Sequence, residues 1–268
     1  MRPLTRIFTD GMKRRIGDNP QPSATLLLRH ILWMNEYFEK IYRLSDDDNT
    51  RIDICRAALT HLLSFIGWLR AVETFGIRWQ DLTIIDPPLG PTMGLPINVG
   101  VILLKLLAQT KSSQTASADV VLAYKTASGL PLGDWFHMLV ALLPARETSP
   151  ESFVLSFRDG RAWSSHHYRY TYMYPLLSLM RSLGDAYLSK YDETPGRELI
   201  KAFHGFNTMR RTGRTVASKK RATTLCAATP AETVEHGRWR LSRSSLDMPL
   251  AYLEWPIADR ICISQCCL

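Results

Sequence analysis

Residues 197–243 hold 11 lysines and arginines against 3 acidic residues, a surplus of 8 that equals the formal charge of the whole chain. The remainder of the 268 residues balances to zero. Within this block or just beyond it stand Arg210, Arg211, Arg214, Lys219, Lys220, Arg221, His236, Arg238, Trp239 and Tyr252. Cleaving a phosphodiester without a metal requires positive charge on two non-bridging oxygens, a nucleophile, and a proton donor for the leaving oxygen. Arginine suits the first task, because its planar fork grips phosphate oxygens two at a time. A tyrosine among cations suits the second, since its ordinary pKa near 10 must be offset by neighbouring positive charge. The block therefore reads as a phosphate site with a nucleophile within reach.

Composition narrows the class further. With 46% hydrophobic residues the chain has enough apolar material for one large core. A net charge of +8 and an isoelectric point near 9.4 favour a polyanionic partner over an acidic protein. The five cysteines, Cys55, Cys226, Cys262, Cys266 and Cys267, form no CxxC pair and no even framework. They point to a reduced intracellular compartment and away from a zinc site. The N-terminus lacks the apolar stretch of a signal peptide, and the most apolar run, LPINVGVILLKLLA, is broken by Asn98 and Lys105. No membrane span is expected.

Hydrophobic periodicity predicts the elements that must position these groups. Residues 1–22 form a basic arm without a sustained period, and the next segment, capped at Ser23, is helical to about Arg43. The polar LSDDDNT interrupts before a second helix over Ile52 to Ile66, which stops at Gly67 and restarts as WLRAVETFGI. The period then changes. DLTIID at 81–86, the run from Val99 to Leu107 and the run from Val120 to Tyr124 predict a small sheet with a hairpin between its last two strands. Helical spacing returns at about 134–143 and at 164–190, where RAWSSHHYRYTYMY offers either core aromatics or a stacking surface for single strands. His166 and His167 are adjacent, so on a helix they point in different directions and make a poor metal pair.

The segment GWLRAVETFGIRWQDL, with Gly67 ahead of an Arg70-x-x-Glu73 pair and Asp81 before a strand, resembles the first catalytic-arginine motif of the tyrosine recombinases. NTMRRTGRT resembles the second-arginine motif of that family, HGRW the motif before the nucleophile, and AYLEW the segment that carries the nucleophile. Order and spacing are similar to those of eukaryotic Crypton-type mobile-element recombinases, over roughly residues 51–268. Each motif alone is weak, and the specificity lies in the set.

The resemblance implies a mixed α/β fold, mainly α-helical, with a small antiparallel three-stranded sheet at one edge. It divides the chain into residues 1–50, a basic arm and N-terminal helix standing where the DNA-clamp domain is reduced or missing, and residues 51–268, the catalytic domain. Arg70 and Arg210 would hold the scissile phosphate, and Tyr252 would attack it to leave a 3′-phosphotyrosine link. Lys111 would protonate the leaving 5′ oxygen, in preference to Lys125 or to Lys105, which is expected inside a strand. Trp239 or His236 would donate a hydrogen bond to the phosphate, with Arg238 as a further contact. Arg211, Arg214, Lys219, Lys220, Arg221 and Arg238 would bind the DNA backbone. Double-stranded DNA, a homo-oligomer assembled on it and an intracellular, nuclear setting are implied, with neither metal nor cofactor.

Two departures from the pattern matter. Where the family carries His-x-x-Arg, this chain has Asn207-Thr208-Met209-Arg210, and asparagine cannot accept and return a proton near neutral pH. His204, three residues upstream, is the substitute within reach. Tyr252 follows Trp239 by thirteen residues, with SRSSLDMP inserted. Asp247 and Pro249 suit the cap and first turn of a last helix that sets Tyr252 and Trp255 on one side. Asn207 divides two readings, a strand-transfer enzyme and a DNA-binding remnant that keeps the fold without turnover. A structural helical protein contacting RNA or an acidic partner would need all four motifs to coincide by accident.

Overall fold

A computed structural model describes residues 26, 28–86, 100–106, 118–182, 206, 208–213, 215 and 216. These residues are mostly helical, with one three-stranded antiparallel sheet, and the mixed, mainly helical architecture expected from the periodicity is present.

Helix α1 (Leu28–Leu44) buries Ile31, Trp33, Met34 and Phe38, largely the face that the three- and four-residue spacing indicates. It also buries Asn35, whose side-chain oxygen accepts a 2.8 Å hydrogen bond from the Trp135 indole. Helix α2 (Asp48–Ile66) starts four residues earlier than the apolar period does. The polar run that reads as an interruption holds its cap, because the Asp47 carboxylate accepts from the backbone N–H groups of Asn49 and Thr50. Every residue from Ile54 to Ile66 is buried, so this helix is enclosed on all sides and serves as the axis of the fold. Its buried hydroxyls are satisfied locally: Thr60 donates to the Arg56 carbonyl and Ser64 to the Thr60 carbonyl, each at 2.7 Å.

Gly67 ends α2, and after three residues α3 (Ala71–Phe75) follows. Strands β1 (Leu82–Ile85), β2 (Val101–Leu106) and β3 (Ala118–Ala123) pair antiparallel in that order, with Leu82 opposite Leu104 and Val101 opposite Ala123. The period-2 pattern divides the sheet. Ile102, Leu104 and Leu122 face the main core, whereas Val101 and Val121 pack with Ile85 and Leu103 on the other face.

Helix α4 (Leu132–Leu142) lies along α2 and buries Trp135, Phe136 and Leu139 completely. The short apolar run FVLSF at Phe153 to Phe157 is not one of the named strands. It makes single antiparallel bridges, Arg78 with Phe153 and Ser156 with Ala162. The predicted helix over 164–190 is seen to residue 182, as α5 (Ser165–Tyr168), a π-turn over Arg169–Met173, and α6 (Tyr174–Ser182). The wide turn has a cause in the sequence. Pro175 has no N–H and its ring crowds the carbonyl four residues back, so the chain shifts to an i→i−5 bond, Tyr174 N–H to Arg169 O.

A single hydrophobic cluster joins α1, α2, α4, one face of the sheet, α6 and the late residues Phe206 and Met209. Among the described residues no helix is long and apolar enough to cross a membrane.

Candidate functional site

Arg70 lies at the junction of α2 and α3. Gly67 closes α2 by donating its N–H to the Leu63 carbonyl at 2.9 Å, and Trp68 then turns the chain through a left-handed conformation with φ 52°. Leu69, buried to 2% exposure, pins the link to the core. Arg70 itself is the N-cap of α3, with φ −78° and ψ 161°, so it stands ahead of the helix and not within it. The Arg-x-x-Glu spacing has a local function there: the Arg70 N–H donates to Glu73 Oε2 at 2.6 Å, and the guanidinium lies 3.6 Å from Glu73 Oε1. This holds the arginine stem while leaving its side chain 39% exposed. After α3, the Arg78 N–H donates to Asp81 at 3.1 Å, and Asp81 immediately precedes β1.

Arg210 sits in a helical turn at 208–213. Thr208, Met209 and Thr212 of this turn are fully buried, Arg210 is half-buried and Arg211 is exposed. Two contacts align the turn. At one end the Phe206 ring packs on that of Phe75, with centroids 5.2 Å apart. At the other, Gly213 lies so close to the Phe65 carbonyl and the Trp68 indole that an added Cβ would overlap the Phe65 oxygen. Phe65 and Trp68 precede Arg70, and Phe75 follows it. The 206–213 segment therefore runs antiparallel beside 65–75, and Arg210 is carried alongside the stretch that bears Arg70. Thr212 fixes the depth of the turn, since its hydroxyl donates to the Thr208 carbonyl at 2.8 Å and accepts from the Leu26 N–H at 2.9 Å.

Lys105 lies in β2, as expected, and is exposed; Lys125 is exposed just after β3. Lys111, Asn207, Arg214, Lys219, Lys220, Arg221, His236, Arg238, Trp239 and Tyr252 lie outside the described residues, as do His204 and four of the five cysteines. Cys55 is buried in α2, and burial raises its thiol to about 12, which keeps it protonated and inert.

The chain matches no protein-family model, no curated protein and no solved structure. The two described candidates, Arg70 and Arg210, lie on adjoining segments, both half-buried, and Glu73 orients Arg70. Such a pair is suited to two oxygens of one tetrahedral anion. Among the described residues no cluster of three His, Cys, Asp or Glu forms a metal site.

The tyrosine-rich segment divides into two faces. Trp163, Tyr168 and Met173 are core residues, and Tyr172 stacks on Trp163 at 5.2 Å. His166, Tyr170 and Tyr174 stay exposed, with the Tyr170 ring 4.4 Å from His166 and 5.2 Å from Tyr174. His167 turns the other way and packs edge-on to Phe157 and Trp163, so the histidine pair points in two directions.

Sequence reasoning did not single out Trp68 or Gly213 as positioning groups, nor Arg56. The Arg56 side chain is 1% exposed on the central helix and is balanced by Glu147 at 3.0 Å, Asp53 at 3.9 Å and Ser156 at 3.3 Å. Arg56, Glu147 and Asp53, together with Arg146, Arg158, Asp48 and Asn49, line a cleft of about 290 Å³. Burial raises the Asp53 carboxyl, an effect that Arg56 and Arg158 oppose. An Arg on a helix otherwise rich in apolar residues was the available signal, since a buried arginine demands a partner.

Proposed function

We propose that the chain is a DNA strand-transfer enzyme of the tyrosine-recombinase kind, with Arg70 and Arg210 holding the scissile phosphate. The observation that carries this reading is the antiparallel packing of the 206–213 segment on 65–75, at the Phe206–Phe75 and Gly213–Trp68 contacts. It brings alongside one another the two stretches whose motifs resemble the arginine motifs of that family. The three antiparallel strands between them, with Lys111 in the β2–β3 connection, agree with the same order of elements.

In this mechanism the two guanidinium groups neutralise the non-bridging oxygens, a charge stabilisation worth on the order of 3 kcal/mol per donor in the transition state. The Tyr252 phenol gives up its proton to a base and its oxygen attacks phosphorus. A P–O bond to tyrosine forms as the bond to the 5′ oxygen breaks, and Lys111 supplies that oxygen with a proton. The phosphodiester energy is kept in the 3′-phosphotyrosine, so a 5′ hydroxyl rejoins by the reverse step without ATP or metal. Double-stranded DNA is the partner, a homo-oligomer on DNA the working assembly, and the nucleus the proposed setting. The basic surplus of residues 197–243 supports the choice of partner.

Incubating the chain with nicked suicide substrates and resolving covalent adducts on denaturing gels tests the proposal. Parent protein forms adduct, and Arg70→Ala and Arg210→Ala each abolish it while circular dichroism stays native. Normal cleavage by either variant removes that residue from the site. Asn207 in the proton-accepting slot favours a second reading, a DNA-binding remnant, which the same gels identify as duplex binding without adduct.

A further inference from the structure

Among the described residues Trp68 is the one non-glycine with positive φ, 52°. The left-handed region costs a residue with a Cβ on the order of 1–2 kcal/mol and is sparsely populated by bulky side chains. The strain falls two residues ahead of Arg70. Across from it stands Gly213, three residues beyond Arg210. A methyl group at Gly213 would overlap the Phe65 carbonyl oxygen and come within 2.8 Å of Cδ1 and 2.9 Å of Nε1 of the Trp68 indole. A backbone carbonyl at the end of a buried helix cannot swing aside, so the segment bearing a larger residue would have to retreat.

Gly213 stands less than one helical turn beyond Arg210, so a retreat at Gly213 moves the Arg210 guanidinium with it. Glu73 holds the Arg70 stem on the opposite segment. The two segments that carry the arginines meet closely where Gly213 lies against the Phe65 carbonyl and the Trp68 indole. Resting on the strand-transfer reading above, we propose that the Trp68–Gly213 contact is a positioning joint that sets the Arg70–Arg210 separation to the width of one tetrahedral phosphate. The strained turn at Trp68 is retained because it brings the indole against Gly213.

The joint has a signature that a merely structural contact lacks. A displacement of about 1 Å at a reacting centre lowers rate by roughly a hundredfold, whereas duplex affinity, spread over many phosphates, hardly registers it. Gly213→Ala in the full chain is expected to lower the single-turnover rate of adduct formation about a hundredfold, with duplex affinity within about twofold of parent. Gly213→Ala should add nothing in an Arg210→Lys background, because the effect passes through Arg210.

Inorganic phosphate supplies a readout free of cleavage. It should raise the melting temperature of parent but not of Arg70→Ala, Arg210→Ala or Gly213→Ala. Trp68→Gly keeps the backbone conformation at no steric cost and removes only the indole, so it carries the test if Gly213→Ala fails to fold. It too should lose phosphate stabilisation. Parental rate together with parental phosphate stabilisation in folded Gly213→Ala, or in Trp68→Gly, overturns the joint. Should parent form no adduct while phosphate still stabilises it through Arg70, Arg210 and Gly213, the strand-transfer reading falls and the joint stands.

Discussion

The Phe206 ring packs on the Phe75 ring with centroids 5.2 Å apart, at an interplanar angle of 54°. Both side chains are 6% exposed, and they close the end of the paired segments opposite to Gly213. Phe206→Ala should therefore destabilise the fold by about 3 kcal/mol and reduce phosphate stabilisation, because the Arg210 turn loses one of its two anchors. Urea midpoints measure the first effect and phosphate-dependent melting the second. A change of less than about 0.5 kcal/mol would place Phe206 outside the core packing.

Binding to duplex DNA should be dominated by phosphate contacts from the basic block. Affinity then falls steeply with salt, each neutralised phosphate contributing a slope of about −0.9 in a double-logarithmic plot. Arg211→Ala, at an exposed position beside Arg210, should reduce the slope by about one. Anisotropy titrations at four salt concentrations measure this, and a flat dependence rules out the electrostatic footprint.

Tyr252→Phe should bind duplex DNA as the parent does and yet form no adduct, since only the phenolic oxygen is lost. Asn207→His should accelerate adduct formation by restoring a group that accepts and returns a proton. Adduct that persists in Tyr252→Phe assigns the nucleophile to another residue.

Burial holds both His30 and His61 down to about 4, from an ordinary value of 6.5. His61 is stacked on Phe38 at 5.2 Å, with its Nδ1 3.4 Å from the Ala57 carbonyl. A folded pKa below the unfolded one means that the unfolded chain binds the extra protons between pH 6.5 and 4. Stability is complete above 6.5 and declines as pH falls toward 4, by up to about 1.4 kcal/mol per pH unit for each histidine. Urea unfolding at pH 7 and pH 5 should show the loss, and His61→Gln should reduce it by about half. An unchanged slope in that variant would mean that other groups drive the acid response.

Removing Glu147 should hurt more than removing Arg56. Glu147→Gln leaves the Arg56 guanidinium, 1% exposed, without its nearest counter-charge, at a cost of about 3 kcal/mol. Arg56→Met replaces it with an apolar side chain of similar length, while Glu147 and Asp53 are 16% and 43% exposed and keep access to water. That change should cost about 1 kcal/mol or less. Chemical denaturation ranks the two variants, and the reverse order would show that the arginine is held by more than its ion pairs.

Where a residue's environment depends on its neighbours along the chain, the amino-acid order determined the outcome. The stripes of α1 and α4, the three short β-branched runs of the sheet and the Asp81 turn before β1 are set by period and local hydrogen bonding. Even the early start of α2 follows from Asp47, a cap whose polar surroundings disguise it as a break. The placement of Arg70 beside a stretch 140 residues away had no such local source. The two stretches meet at Gly213, one glycine in a basic run, whose missing Cβ matters because the Phe65 carbonyl and the Trp68 indole lie there. Likewise nothing in GWLR marks Trp68 for a left-handed turn. Local sterics oppose that conformation, which is adopted where the Trp68 side chain packs on the core and its indole meets a distant glycine.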